Sequence, residues 1–153
     1  MTGPQPYTIG RIAAKRFIQT QLRYGKKRGL VKSILIVDDS SVMRRALRAL
    51  IGHQDDLQVC GEAHDGRDGV DKALALRPDL VLLDLSMPVM NGFEAAREIH
   101  RLRPGVLILM YTTFCSSQVE REATAVGVTA VVSKSDSPDV LCSSIRNLLS
   151  AVS

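Results

Sequence analysis

The sequence predicts an α/β fold with a doubly wound, five-stranded parallel sheet in the strand order 2-1-3-4-5. From Ser33 onward, five short apolar runs each precede an amphipathic segment, which is the pattern of βα units. The first of these runs has no polar interruption, as expected for a strand buried on both faces. Right-handed crossovers between five such units give an open sheet, for which 2-1-3-4-5 is a common order. An eight-unit barrel would need a much longer chain.

Capping and helix-breaking residues set the boundaries of the predicted elements. Ser40 or Ser41 can cap the first helix, and Gly52 can end it. Pro78 ends the second helix because proline disfavours helical backbone in the preceding residue. Gly127 ends the fourth helix. The predicted strands and helices, in chain order, are residues 34–37, 41–52, 57–63, 66–77, 80–83, 92–102, 106–110, 119–126, 128–132 and 138–149.

Two of these helices show which residues are expected to face the sheet. In the first helix, the apolar residues at helical spacing are Val42, Met43, Ala46, Leu47 and Leu50. In the last helix, they are Val140, Leu141, Ile145, Leu148 and Leu149. The polar residues that follow the fourth strand, 111–113, are expected to form a loop.

Charge is distributed unevenly along the 153 residues. Residues 1–32 hold eight of the 20 Lys and Arg residues and none of the 16 Asp and Glu residues, so the remaining chain has a formal charge of −4. We expect residues 1–32 to be a basic extension, disordered or partly helical, and residues 33–153 to be the folded domain. Two alternatives for the extension are a basic amphipathic helix on a membrane or nucleic acid, and a translation start near Val31. The acidic balance of the domain itself disfavours nucleic-acid binding there.

Cysteine and histidine spacing indicates neither a disulfide framework nor a zinc site. The residues concerned are Cys60, Cys115, Cys142, His53, His64 and His100. The cysteines are odd in number, without CxxC spacing, so reduced, buried thiols are expected. The sequence has no run of 18 apolar residues and no apolar segment of a secretory signal at its start, which predicts a cytoplasmic protein.

Polar side chains follow the first, third, fourth and fifth predicted strands. They are Asp38, Asp39, Asp84, Thr112 and Lys134. In an open parallel sheet the ligand crevice lies beyond the carboxyl ends of the strands, so these residues are expected at one edge. Three carboxylates there would repel one another unless a cation lay between them, and oxygen ligands of this kind suit Mg²⁺. The cation and Lys134 could then neutralise a phosphoryl group.

The motifs that contain these residues resemble those of bacterial response-regulator receiver domains. They are residues 34–39 (ILIVDD), 82–88 (LLDLSMP) with Asn91-Gly92, Tyr111-Thr112, and residues 132–134 (VSK). The resemblance covers about residues 33–149 and implies a flavodoxin-like (βα)5 fold. The sequence Lys134-Ser-Asp-Ser-Pro138 resembles receivers that usually precede a helix-turn-helix output domain, although no DNA-binding domain is expected in this chain.

The resemblance implies a role for each site residue. Asp84 matches the phosphoacceptor, and Asp38 and Asp39 match the acidic pair that organises Mg²⁺. The backbone carbonyl of Ser86 matches the third protein ligand of the metal. Thr112 matches the switch hydroxyl, and Lys134 matches the ammonium that contacts the phosphoryl group. The implied partners are a sensor histidine kinase or phosphotransfer protein and a downstream protein target, with a homodimer as a further possibility.

Three departures from the family pattern limit what is carried over. Val131 stands where many receivers have an aromatic residue, so no ring rotation is expected there. Ser135 replaces a frequent proline, and Thr113 is bulkier than the usual Ala or Gly. Two alternative functions remain: a small Mg²⁺-dependent phosphohydrolase, and a degenerate, phosphate-independent receiver. The first would need a general acid two residues after Asp84, where this chain has Ser86.

Overall fold

The computed structural model describes residues 31–152, in which five strands alternate with five helices. The elements in chain order are β1 (Lys32–Val37), α1 (Ser41–Gly52), β2 (Leu57–Ala63), α2 (Gly66–Leu76), β3 (Leu80–Leu83), α3 (Gly92–Leu102), β4 (Leu107–Thr112), α4 (Ser117–Ala125), β5 (Ala130–Ser133) and α5 (Pro138–Ala151). The predicted α/β class is confirmed. The basic extension lies outside the described residues except for its last two positions.

The five strands form one parallel sheet in the order β2-β1-β3-β4-β5, as the sequence predicts. The register brings the ends of adjacent strands level. Val37 at the end of β1 lies opposite Leu83 of β3, which in turn lies opposite Met110 of β4. Thr112 lies opposite Ser133 at the end of β5. Residues that follow β1, β3 and β5 therefore meet at one edge.

Helices cover both faces of the sheet, so that two apolar layers share the central strands. In β1, Ile34 and Ile36 pack toward α1 and α5, whereas Leu35 and Val37 pack toward α2, α3 and α4. This alternation follows from the two-residue period of a strand. Side chains on both faces of β1 and β3 are buried from Ile34 to Val37 and from Leu80 to Leu83, which is why these strands read as continuous apolar runs.

Short loops connect the carboxyl ends of the strands to the helices. Ser40 caps α1 by accepting a 3.2 Å hydrogen bond from the N–H of Met43. Asn91 and Glu94 form a capping box at the start of α3. These caps satisfy the first N–H groups of each helix and fix the direction in which the chain leaves the sheet.

Several predicted details are wrong. Strand β4 continues through Thr112 instead of ending at Met110, since the hydrophobic layers bury its last two residues. Val42, Ala46 and Val140 are exposed, so α1 and α5 face the sheet with narrower apolar stripes than expected. Within the described part of the chain, we find no helix with the length and apolar character needed to span a membrane.

Candidate functional site

Three carboxylates gather at the carboxyl edge of the sheet. Asp38 follows β1 and Asp84 follows β3, and their exposed fractions are only 2% and 6%. Asp39 is exposed. One oxygen atom from each of Asp38, Asp39 and Asp84 lies within 4.8 Å of the others. The structure therefore brings together the acidic residues that the sequence predicts as neighbours.

Local hydrogen bonds orient Asp38. Its Oδ1 atom accepts a 2.9 Å hydrogen bond from the N–H of Ser40, at the start of α1. The backbone carbonyl of Asp38 accepts a 2.7 Å hydrogen bond from Nη1 of Arg44. Asp38 is thus fixed through its side chain and its backbone, leaving Oδ2 to face the other charged groups.

Asp84 is held by backbone contacts on both sides. Its N–H donates a 2.9 Å hydrogen bond to the carbonyl of Val37, and its Oδ1 accepts a 2.8 Å hydrogen bond from the N–H of Leu85. Burial raises the pKa of Asp84, and the negative charge of Asp38 raises it further, while Lys134 and the Leu85 N–H oppose this rise. The carboxylate is therefore destabilised in its charged form, so an added cation would be favourable.

Lys134 lies among the carboxylates. Its Nζ atom is 2.7 Å from Oδ2 of Asp38 and 3.4 Å from Oδ2 of Asp84. Burial lowers the pKa of Lys134, but the hydrogen bond to Asp38 and the charges of Asp38 and Asp84 outweigh burial, and the net pKa is raised. Lys134 is accordingly a charged ammonium throughout the neutral range.

The donor set fits a small divalent cation. Three carboxylates and one ammonium leave a net negative charge, and the donors are hard oxygen atoms of the kind that Mg²⁺ takes. Ser86, two residues after Asp84, is exposed, and its carbonyl accepts no hydrogen bond from residues 31–152. A free carbonyl at that position could serve as a further oxygen ligand.

Thr112 lies at the end of β4, beside β5, and its exposed fraction is 0%. Its Oγ1 atom accepts a 3.2 Å hydrogen bond from the N–H of Phe114, and its carbonyl accepts one of 2.9 Å from the N–H of Lys134. The hydroxyl thus bonds within its own loop, and it forms no hydrogen bond with Asp84 in the described structure. The hydrogen bond between the Lys134 N–H and the Thr112 carbonyl nevertheless joins the two residues through their backbones.

Sequence reasoning missed one contributor to the site and misplaced another. Arg44 was not singled out, since an arginine on an exposed helix gives no signal that it reaches back to the Asp38 carbonyl. Tyr111 was assigned to a loop, but it is a buried residue of β4 whose ring centroid lies 6.0 Å from Nζ of Lys134. Burial raises the pKa of the Tyr111 hydroxyl, with Lys134 opposing this rise.

The loop after Asp84 has an unusual backbone. Val89 has a φ of 69°, a region that β-branched residues rarely adopt, and the N–H of Met90 donates a 2.7 Å hydrogen bond to the Pro88 carbonyl across it. The Met90 carbonyl then accepts a 3.1 Å hydrogen bond from the N–H of Gly66, at the start of α2. This tight turn is therefore anchored to the neighbouring helix.

The cysteines and histidines lie outside this site. All three cysteines are free, and Cys60 and Cys142 are buried as expected, but Cys115 is exposed in the loop before α4, so the expectation of buried thiols is wrong for it. His64 contacts Asp65 and Asp68, with N–O distances of 3.4 and 3.1 Å. Within residues 31–152, the histidines form no cluster of metal ligands with the carboxylates.

Comparison with known proteins identifies the family. The family model described as the response regulator receiver domain matches residues 34–146. The chain therefore belongs to the receiver domains of response regulators, the proteins of two-component systems.

Two curated relatives illustrate the proteins in which such a domain occurs. A protein-glutamate methylesterase/protein-glutamine glutaminase of Methanosarcina mazei is 39% identical over 105 residues, which cover 67% of this chain and 29% of the relative. The transcriptional regulatory protein LnrK of Bacillus subtilis is 35% identical over 115 residues, covering 75% of this chain and 52% of LnrK. The chain therefore spans about a third to a half of these relatives.

Solved structures with at least 30% identity agree with the fold. The response regulator domain of Thermotoga maritima CheB is 30% identical, with a TM-score of 0.74 over 78% of this chain and 97% of that one. A LuxR-family response regulator from Aurantimonas is also 30% identical, with a TM-score of 0.77 over 79% of this chain and 86% of that one. The similarity thus extends over nearly the whole described domain.

Proposed function

We propose that Asp84 is the phosphoacceptor of this receiver domain and that the phosphoryl group on it switches the protein between two signalling states. The observation that carries this proposal is the gathering of three carboxylates whose oxygen atoms lie within 4.8 Å of one another, two of which contact the ammonium of Lys134. Burial and the charge of Asp38 raise the pKa of Asp84, which is held from both sides by backbone groups. A fixed, partly desolvated carboxylate is suited to act as a nucleophile.

Asp38, Asp39, Asp84 and the Ser86 carbonyl are the proposed ligands of Mg²⁺. When bound, the metal would neutralise charge on the phosphoryl oxygens and help to place the donor in line with Asp84. The protein's own contribution is positional. The Ser40 N–H and Arg44 hold Asp38 in place, so the Asp38 carboxylate would need little rearrangement to bind the metal.

In the transfer step, a carboxylate oxygen of Asp84 attacks the phosphorus atom of a phosphohistidine on the donor. The P–N bond breaks as the P–O bond forms, and its electron pair returns to the imidazole, leaving an acyl phosphate on Asp84. Lys134 would then exchange its contact with the carboxylates for one with a phosphoryl oxygen. The distance allows this exchange, since Nζ of Lys134 already lies 3.4 Å from Oδ2 of Asp84.

Thr112 and the loop that follows it are the proposed start of the output change. The backbone link from Lys134 to the Thr112 carbonyl couples the two residues. If the Thr112 hydroxyl turns toward the phosphoryl group, it must release the N–H of Phe114, which frees the loop before α4. The face formed by β5 and its neighbours would be the surface that a downstream protein recognises.

Exposure of the intact protein to acetyl phosphate and Mg²⁺, followed by intact-mass measurement, tests the proposal. We expect a gain of one phosphoryl group that depends on Mg²⁺ and disappears in Asp84→Asn. Asp136→Asn, which removes an exposed carboxylate after β5, is the matched control and should retain the gain. Multiple turnover of small phosphate esters would instead indicate a phosphohydrolase. No adduct in the wild type would indicate a phosphate-independent receiver.

The proposed partners follow from this chemistry. They are a sensor histidine kinase or phosphotransfer protein as the donor and a downstream protein as the target, with homodimerisation as one means of output. A cytoplasmic location belongs to the same proposal, because ATP-dependent kinases supply phosphoryl groups there.

A further inference from the structure

A groove lies at the edge of the sheet opposite the carboxylates. It has a volume of about 270 Å³, and it lies between the end of α1 and the start of β2. Its walls include Val31, Gly52, Leu57, Gln58 and Val59. Strand β2 is an edge strand, paired only with β1 in the described sheet. The groove thus combines apolar side chains with an open strand edge, which is a surface that an extended segment can bind.

Two features of the groove indicate what would occupy it. Asp55 in the wall is exposed and forms no ion pair within the described residues, whereas Arg48 beside it is paired with Glu62. At Gly52, an added Cβ would meet no atom within 4 Å, so this side of the groove is open.

We propose that the groove binds the chain's own residues 22–30. Val31 is part of the groove wall, so residue 30 leaves the described structure directly at the groove. The segment contains apolar residues and basic residues, which match the apolar wall and the exposed carboxylate of Asp55 respectively. Its apolar and basic members are Leu22, Arg23, Tyr24, Lys26, Lys27, Arg28 and Leu30.

Charge and tethering favour this segment over a second copy of the domain. Residues 1–30 hold seven basic residues and no acidic ones, whereas residues 31–153 hold 13 basic and 16 acidic residues. A symmetric contact between two grooves would bring Asp55 near its equivalent, which is unfavourable. The covalent link also gives the segment an effective concentration on the order of millimolar, without any loss of translational freedom.

The docked segment would lie far from the phosphoacceptor site. The groove is at the amino-terminal ends of β1 and β2, and the carboxylates follow the carboxyl-terminal ends of β1 and β3. The segment would thus cover the β2 edge and leave Asp84 accessible.

Limited digestion of the full-length protein with trypsin tests the proposal, because cleavable residues lie both inside and outside the segment. The inside sites are Arg23, Lys26, Lys27 and Arg28, and the outside sites are Arg11, Lys15 and Arg16. We expect cleavage at the inside sites to be roughly tenfold slower, since proteolysis follows the population of the open form. Gly52→Trp should fill the groove, so that the inside and outside sites are then cleaved at equal rates.

Two further variants separate groove occupancy from other effects. Gly105→Trp is the matched control, since a Cβ at Gly105 also meets no atom within 4 Å, and it should leave the cleavage pattern unchanged. Asp55→Asn removes the negative charge from the groove wall without adding a trypsin site, and it should speed cleavage at the inside sites severalfold. This second variant keeps the test valid if Gly52→Trp fails to fold, as checked by circular dichroism.

The proposal is overturned if both sets of sites are cut at equal rates in the wild type, or if slow cleavage at the inside sites persists in both groove variants. Light scattering on the same samples shows whether a second copy of the chain occupies the groove instead. A wild-type dimer that becomes a monomer in Gly52→Trp, with uniform cleavage rates throughout, would assign the groove to self-association and would also overturn the proposal.

Discussion

Lys134 donates a 2.7 Å hydrogen bond to Oδ2 of Asp38, 96 residues earlier in the chain. The bond connects the end of β5 to the end of β1 across the site, and the same ammonium lies 3.4 Å from Asp84. Lys134 therefore reduces the repulsion between two buried carboxylates, and it also competes with any cation for their oxygen atoms.

Removal of the ammonium should strengthen cation binding. In Lys134→Met, we expect the affinity for Mg²⁺ to rise about tenfold, because a like charge within about 6 Å of a cation costs roughly 1 kcal/mol or more. Phosphorylation should nevertheless slow, since a charge that stabilises the phosphoryl oxygens is lost. Titration calorimetry measures the affinity. Lys72→Met, which removes a partly buried lysine paired with Asp68, should leave the affinity unchanged. Weaker binding in Lys134→Met would contradict this role.

Removal of the Asp84 charge should stabilise the metal-free domain. The pKa of Asp84 is raised by burial and by Asp38, so the folded state holds its proton more tightly than the unfolded state does. Its contribution to stability is therefore present at low pH and is lost as pH rises through the folded pKa. At neutral pH in EDTA, Asp84→Asn should increase the free energy of unfolding by about 1 kcal/mol.

Urea denaturation of wild type and Asp84→Asn measures this difference. Asp71→Asn, which alters an exposed carboxylate of α2, should change stability by less than about 0.5 kcal/mol. The advantage of Asp84→Asn should shrink when the pH is lowered toward 4, because the wild-type carboxyl then becomes protonated. A variant less stable than wild type in EDTA would show that Asp84 is not under electrostatic strain.

Gly92 is expected to be intolerant of a side chain. An added Cβ would overlap the Asp84 carbonyl and lie 2.8 Å from the Cα of Leu85, so the loop that follows the phosphoacceptor would have to move. We expect Gly92→Ala to destabilise the protein by about 1–3 kcal/mol. Gly52→Ala is the control, because a Cβ at Gly52 meets no atom within 4 Å. This substitution should stabilise α1 by about 0.5–1 kcal/mol. Equal midpoints in urea for the two variants would contradict the close approach.

The three thiols should differ sharply in reactivity. Burial raises the pKa of Cys60 to about 12 and also raises that of Cys142. Desolvation raises the pKa of Cys115 as well, but Cys115 is exposed whereas Cys60 and Cys142 are buried. Brief treatment of the native protein with N-ethylmaleimide should add one group, at Cys115, as intact mass and peptide mapping would show. Cys115→Ser should add none under the same conditions. Rapid labelling of Cys60 would indicate that the packing between β2 and α2 is looser than described.

The fold could be predicted from the sequence because buried parallel strands leave uninterrupted apolar runs, and because strand order is constrained by right-handed crossovers. The end of β4 was misplaced because the hydroxyls of Tyr111 and Thr112 resemble a polar loop, although neighbouring strands bury both residues. Val42 was assigned to the core on spacing alone, and tertiary packing of α1 leaves it exposed.

The candidate site was partly predictable for a similar reason. Residues directly after parallel strands must meet at one edge, which is why Asp38, Asp84 and Lys134 could be grouped. Their pairing could not be predicted, because the choice between Asp38 and Asp84 as the partner of Lys134 depends on distances set by the whole sheet. The contact of Arg44 with the Asp38 carbonyl depends likewise on how α1 is seated.

Chemical mapping of the phosphorylated residue tests the central claim most directly. After incubation with acetyl phosphate and Mg²⁺, reduction with borohydride converts an aspartyl phosphate to homoserine, which peptide sequencing by mass spectrometry locates. We expect homoserine at position 84 alone, and none in a sample prepared with EDTA. Homoserine at Asp38 or Asp39, or its absence from position 84 in a sample that has gained a phosphoryl group, would contradict the assignment of Asp84 as the phosphoacceptor.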